Sequence, residues 1–203
     1  MQLRPHQEQA VKAMLRNTKG QIIVPTGGGK TMCMIDDAIT EFNRSSMPKT
    51  IVVVAPRILL ANQLSAEFLE FIDNAEVLHV HSGETRHYST TQASRISVWS
   101  AKNCAFNQII FTTYHSLHRI QESGIHVDTI YFDEAHNSVQ KNFYQSTEYF
   151  SNHAERCYFF TATPKHSRTP SKAGMNWTKT YGQVICQVPA PKLVNEGYIL
   201  PPK

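Results

Sequence analysis

The stretch "IIVPTGGGKT", residues 22–31, sets three consecutive glycines ahead of Lys30 and Thr31. The residues leading into it are β-branched, a strand composition, and Lys30 opens a helical pattern that runs to Asn43. Strand, glycine-rich loop and helix together form a setting in which backbone N–H groups converge on an anion at a helix N-terminus. Pro25, Thr26, Gly27, Gly28 and Gly29 are therefore a candidate phosphate cradle. Lys30 is placed to reach the β- and γ-phosphates of a nucleotide, and the Thr31 hydroxyl to ligate Mg²⁺. The pattern G-x-x-x-x-G-K-T fails at its first position, where Val24 stands. A glycine-rich turn that happens to precede Lys-Thr is the alternative.

Working outward, short β-branched or aromatic runs alternate with longer helical patterns. Strands are predicted over 21–24, 50–55, 76–80, 108–112, 129–133 and 156–161. Helices are predicted over 6–17 behind Pro5, with Gly20 closing the turn, and over 30–43, 58–72, 114–122 and 141–150. Near-continuous apolar strands separated by helices predict an α/β fold: an open, mainly parallel sheet with helices on both faces. Residues 82–94 are polar and read as a surface loop, while 96–104 fit a short strand or a short helix. Beyond Pro164 the pattern loosens into loop, a strand over 183–188 and a helix over 192–197. One domain over 1–180 is expected, followed by a terminal strand and helix over 181–203 that lead out of it.

Composition is that of an ordinary globular chain: 203 residues, 41% hydrophobic, 18% charged, net charge +4. The longest apolar runs fall far short of the ~20 residues that span a bilayer, and no signal peptide is evident. The expected setting is cytoplasmic. Mild basicity permits an anionic partner without demanding one. Cys33, Cys104, Cys157 and Cys186 are dispersed without C-x-x-C pairing, and buried free thiols are expected at Cys33 and Cys157. The pairs His79/His81 and His115/His118 lack a third ligand at metal spacing. His6 carries no evident role, and the aromatics Phe143, Tyr144, Tyr149 and Phe150 fall at helical spacing as core residues.

An acidic partner for the phosphate loop stands in "TIYFDEAH", residues 129–136. An apolar strand delivers Asp133 to its C-terminal end, the edge at which open α/β sheets bind ligands. There Asp133 can hold Mg²⁺ and Glu134 can orient and polarise an attacking water. His136 is placed to link the site to a neighbouring segment.

"PTGGGKT", "DEAH" and then "FFTATP" (residues 159–164) resemble motifs I, II and III of superfamily 2 helicases and translocases, whose first domain is RecA-like and whose phosphate loop often lacks the first glycine. "LRPHQEQAV" near the start is similar to the signature of the branch holding XPB-like repair helicases and restriction-enzyme motor subunits. By that resemblance Gln7 contacts adenine and Arg4 helps to frame the pocket. "VVVAPRILLANQ" resembles motif Ia and "FTTYHSL" motif Ib, which line the nucleic-acid path. This assigns Pro56 and Arg57, and Thr112 and Thr113, to phosphate contacts. The alternatives are a solvated arginine, and threonines that cap a helix from Tyr114. Thr161 and Thr163 are assigned, with His136, to coupling between γ-phosphate loss and the nucleic-acid path; a turn closed by Pro164 is the plainer alternative.

The resemblance implies ATP and Mg²⁺ as cofactors and nucleic acid as partner, with DNA favoured over RNA. It implies a second RecA-like domain supplying arginines to the transferring phosphoryl group. No arginine-rich motif of that kind follows Pro164, so turnover by this chain alone is expected to be weak. A DEAH-type RNA helicase and a non-catalytic ATP-binding interaction module are the competing functions.

Overall fold

The computed structural model describes residues 1–201. Pro202 and Lys203, the end of the expected exit segment, lie outside the described residues. The apolar runs form seven strands: β1 (Lys19–Ile23), β2 (Thr50–Ala55), β3 (Ala75–Val80), β4 (Asn107–Thr113), β5 (Thr129–Phe132), β6 (Arg156–Thr161) and β7 (Val184–Gln187). They make one sheet in the order β3-β4-β2-β5-β6-β1-β7, and every pairing in it is parallel. The helices are α1 (Pro5–Arg16), α2 (Lys30–Arg44), α3 (Ile58–Phe71), α4 (Ala93–Lys102), α5 (Leu117–Ser123), α6 (Lys141–His153), α7 (Thr178–Tyr181) and α8 (Ala190–Asn195).

The two-residue period of the strands sorts the core into two layers. Ile51, Val53 and Ala55 of β2 and Ile109 and Phe111 of β4 face α1, α2, α3 and α8, which contribute Met14, Met34, Phe68 and Leu193. Val52, Val54 and Ile110 face the other way, against Ile96, Leu117, Ile120, Phe143, Phe150 and Tyr181 of α4 to α7. Both faces are covered, as an all-parallel sheet requires. No described helix is long and apolar enough to cross a membrane.

Several boundaries differ from expectation. Strand β1 begins at Lys19, because its parallel register with β6 starts there, Lys19 opposite Cys157. The helix expected from Tyr114 begins at Leu117 instead, because Tyr114 turns into the core. The ambiguous run near residue 96 is helix α4, anchored by the fully buried Ile96. The polar segment before it is tied along β3, with His79 N donating to Tyr88 O (3.0 Å) and Thr90 N to His79 O (3.1 Å). Strand β7 pairs with β1 and Leu193 is fully buried, so the chain up to α8 shares the same sheet and core.

At the N-terminal edge of the sheet lies a buried ionic cluster. Asp37, fully buried, accepts two hydrogen bonds from Arg156 (2.6 and 2.9 Å) and one from the Tyr131 hydroxyl (2.5 Å). Arg156 also donates to Glu41 (3.2 Å), and burial raises the pKa of that carboxyl. Removing one partner of such a pair strands the other without solvent. Arg156→Ala is therefore expected to cost about 3–5 kcal/mol, read as a fall in the midpoint of urea unfolding.

Candidate nucleotide site and nucleic-acid path

Five strand ends, those of β1, β2, β4, β5 and β6, place the expected residues along one edge of the sheet. Parallel strands all present their C-terminal ends on the same side. The loop after β1 turns through Gly27 and Gly29, both with positive φ (82° and 76°), and Gly29 is the left-handed N-cap of α2. A Cβ on Gly29 would sit 2.3 Å from Gln7 Nε2. Gly29→Ala thus combines an unfavourable backbone with a displaced Gln7. An expected cost of about 1–3 kcal/mol should appear in thermal unfolding together with weakened nucleotide binding.

Helix α1 is docked onto this loop by its first turn. His6, buried, donates from Nε2 to Gly28 O (2.6 Å), and Gln7 Nε2 donates to Gly29 O (2.9 Å). Gln7 Oε1 accepts from Arg4 N (2.8 Å). One Nε2 proton and one Oε1 lone pair of Gln7 remain for the edge of a base. The Arg4 guanidinium lies 5.0 Å from the centre of the Tyr198 ring, which also packs on His6 at 5.3 Å. Helix α8 and the segment after it thereby fold back over the loop, with Ile199 and Leu193 3.4 Å from where Cβ atoms on Gly27 and Gly28 would stand.

Opposite the loop, Lys30 Nζ is hydrogen-bonded to Glu134 Oε1 and lies 3.8 Å from Asp133 Oδ1. The structure thus brings Lys30, Asp133 and Glu134 together. Asp133 is buried, and its Oδ1 has no hydrogen-bond partner. Burial, reinforced by the charge of Glu134 and opposed by Lys30, raises its carboxyl pKa to about 6. An orphaned, desolvated carboxylate oxygen beside a phosphate cradle fits a hard divalent cation. Asp133 and the Thr31 hydroxyl are the residues that would hold it. Glu134 is the one non-glycine residue with positive φ among the described residues (φ 49°), and such strain concentrates at functional sites.

A row of polar groups runs sideways from there, hydrogen-bonded from His136 onward. His136 Nδ1 is 3.7 Å from Glu134 Oε2 and 2.8 Å from Thr161 Oγ1, which in turn accepts from Thr163 N (3.1 Å). Burial lowers the His136 pKa, leaving the ring neutral at physiological pH. His136, Thr161 and Thr163 are thus contiguous with the carboxylates.

The other strand ends are arranged less as expected. Pro56 is half-buried and Arg57 is exposed at the start of α3, with no ion pair among the described residues. Of the two threonines, Thr112 needs correction. Thr112 is fully buried and donates to Val80 O (2.8 Å), and Thr113 is 3% exposed. The Thr112 hydroxyl is thus spent on the neighbouring strand, and neither threonine caps the helix, which starts after Ser116. Strand pairing with β2 runs on through Thr113, which draws both residues inward. At this turn the Tyr114 hydroxyl instead donates to Asp133 O (2.7 Å), joining the end of β4 directly to the carboxylate loop.

His6, Tyr114 and Tyr198 escaped sequence reasoning. For His6 a signal existed, since His6, Ala10 and Met14 share one buried helical stripe. Nothing local marks Tyr114 or Tyr198. The histidine pairs also resolve. His79 and His81 are buried and bonded to each other (3.1 Å), and His79 is bonded to Ser65 (3.0 Å). Burial, with the neighbouring His81 and His87, pushes the His79 pKa down to about 3. No cluster of three or more metal-ligating side chains occurs among the described residues. Cys33 and Cys157 are buried free thiols.

A glycine-rich loop after β1, a buried carboxylate at the end of β5 and a bonded Thr-x-Thr at the end of β6 lie along one edge of an all-parallel sheet, the RecA-like fold of superfamily 2 helicase domains. The chain belongs to the ResIII family, the type III restriction enzyme res subunit, whose model matches residues 1–166. No curated protein matches it. Among solved structures it is similar to the type ISP restriction-modification enzyme LlaGI in complex with a DNA substrate mimic. The TM-score is 0.83 at 21% identity, over 98% of this chain and 21% of that one. It is similar also to LlaBIII bound to DNA (0.79, 19%, over 97% and 16%) and to the UvsW helicase of bacteriophage T4 (0.63, 17%, over 91% and 60%). The chain thus spans about a fifth of LlaGI, and at these identities the likeness is one of fold.

Proposed function

We propose that this chain is the ATP-binding motor domain of an ATP-dependent DNA helicase or translocase, in which hydrolysis drives movement on DNA or its unwinding. The observation that carries this is the orphaned Asp133 Oδ1, buried 3.8 Å from Lys30 at the mouth of the glycine loop. ATP would draw Lys30 off Glu134 and onto its β- and γ-phosphates. Backbone N–H groups of Gly27 to Thr31 would receive the phosphate oxygens. Thr31 and Asp133 would hold Mg²⁺, which would supply charge neutralisation at the phosphates. Glu134, released from Lys30, then positions a water for in-line attack. Gln7, Arg4 and the Tyr198 ring frame the base.

His136, Thr161 and Thr163 pass the change at Glu134 to the neighbouring strand end. Tyr114 provides a second route, from Asp133 to the nucleic-acid path beside Pro56 and Arg57. A second RecA-like domain, contributing arginines across the cleft, would complete the engine. In comparable NTPases such an arginine is worth about 10³–10⁵ in rate. DNA is favoured because LlaGI and LlaBIII are each described with DNA or a DNA mimic.

The test is ATP turnover by the protein with single- and double-stranded DNA and with RNA. Stimulation by DNA above RNA is expected. Stimulation by RNA alone would replace this function with that of an RNA helicase. ATP binding without turnover under every condition, even with the second domain present, would leave a non-catalytic module.

A further inference from the structure

Away from the glycine loop, on the α6 side of the sheet edge, a cavity of about 1020 Å³ is lined by Lys141, Lys165, Arg168, Lys172, Tyr144 and Trp177, and no Asp or Glu lines it. The Trp177 and Tyr144 rings meet edge to face, 5.5 Å between centres, and both are half-buried. Glu148 accepts from the Tyr144 hydroxyl (3.2 Å) and does not line the cavity.

The loop that carries three of these cations is built rather than loose. Ser167 N donates to Asn176 Oδ1 (2.7 Å), Asn176 Nδ2 donates to Ser167 O (2.9 Å), and Met175 N donates to Lys165 O (2.6 Å). The crossing is tight: a Cβ on Gly174 would stand 2.2 Å from Ser167 N. The loop follows directly on Thr163 and Pro164, and the charge of Lys165 adds to burial in depressing the His136 pKa.

The cavity also continues the edge at the end of β4. There His115, exposed, packs edge-on against Phe143 at 4.7 Å, and Tyr144 is the next residue of α6. Cations at intervals around an aromatic wall are what a flexible nucleic-acid strand requires: charge for its phosphates and ring faces for its bases.

From this geometry we infer that residues 165–177 and the start of α6 form a second seat for single-stranded nucleic acid, in which Lys141, Lys165, Arg168 and Lys172 hold phosphates and Trp177 stacks on a base. The seat rests on the proposed motor function and lies beside the coupling residues. Strand position there and the state of the candidate nucleotide site are then joined through the chain itself, since the loop runs on from Thr163, whose N–H bonds Thr161 beside His136.

The chain has two tryptophans, Trp99 and Trp177, so Trp99→Phe leaves Trp177 as the sole reporter. Titration with a 20-nucleotide oligo(dT) is expected to quench Trp177 fluorescence in this chain. Adding Lys165→Ala, Arg168→Ala and Lys172→Ala is expected to weaken binding at least tenfold and to flatten its log–log salt slope by about 2. A control with Lys12→Ala, Arg16→Ala and Arg44→Ala, all exposed on α1 and α2, removes the same charge elsewhere and is expected to bind as the parent does. Unchanged binding by the loop variant would overturn the seat while leaving the motor function standing, as would equal loss in the control. Equal quenching by duplex DNA would overturn its single-strand assignment. Failure of the parent to bind any nucleic acid would remove both the seat and the motor function.

Discussion

Glu134→Gln is expected to lower nucleic-acid-stimulated ATP turnover by about 10²–10⁴, the usual contribution of a positioned general base, while leaving ATP affinity intact or improved. The carboxylate touches Lys30 and, at longer range, His136. In the proposed cycle it surrenders Lys30 to the phosphates and turns to the water. Glutamine keeps the shape and can still accept a hydrogen bond from Lys30, but it cannot take a proton. Single-turnover measurements separate the two effects: the chemical step should slow while the binding step does not. A variant that instead lost ATP binding would make Glu134 a structural anchor of Lys30.

Asp133→Asn should trade function for stability. Its carboxyl pKa, raised to about 6 mainly by burial, lies above the ~3.9 of an exposed aspartate. A raised carboxyl pKa means that the folded chain binds the proton more tightly than the unfolded chain. Stability from this group is therefore greatest below about pH 4 and is lost as pH rises through about 6, the reverse of a salt-bridged carboxylate. At neutral pH the wild-type fold carries a penalty of roughly 2–3 kcal/mol here, relieved when a cation arrives.

Asparagine carries no such charge. The variant is expected to unfold at higher temperature than wild type at pH 7.5 without nucleotide, and the gap should narrow as pH falls through 6 and close below about pH 4. Mg²⁺-dependent ATP binding should fall at least a hundredfold at the same time. In wild type, that binding should weaken about tenfold per pH unit below pH 6, where the proton competes with the cation. Acid titration of nucleotide affinity checks the sign, and a midpoint near 4 would remove the desolvated carboxylate from the account.

The parts of the candidate nucleotide site were readable in the sequence because each of them is local. Gly27, Gly29 and Lys30 are consecutive with a strand and a helix. Asp133 and Glu134 follow the strand-forming run Thr-Ile-Tyr-Phe. In a parallel sheet such ends must assemble on one edge. What escaped depends on partners far away in the chain. Thr112 was expected to end its strand and offer its hydroxyl to a phosphate, but pairing with β2 extends to Thr113 and the Thr112 hydroxyl is spent on Val80 O. Tyr114 leaves the helical pattern to reach Asp133 O, nineteen residues on, and Tyr198 meets Arg4 from the opposite end of the chain. No periodicity encodes contacts of that span. Helix α4 was ambiguous because only Ile96 of its ten residues is buried, too little for a helical stripe to stand out.

The most direct measurement is the affinity of the 203-residue chain for ATP by calorimetric titration, with Mg²⁺ and with EDTA, for wild type and Lys30→Ala. Saturable one-to-one binding that needs Mg²⁺ and is lost in Lys30→Ala is the expected result. Binding indifferent to both the cation and Lys30, or no binding at all, would contradict the assignment of the glycine loop and Asp133 to a single Mg·ATP site.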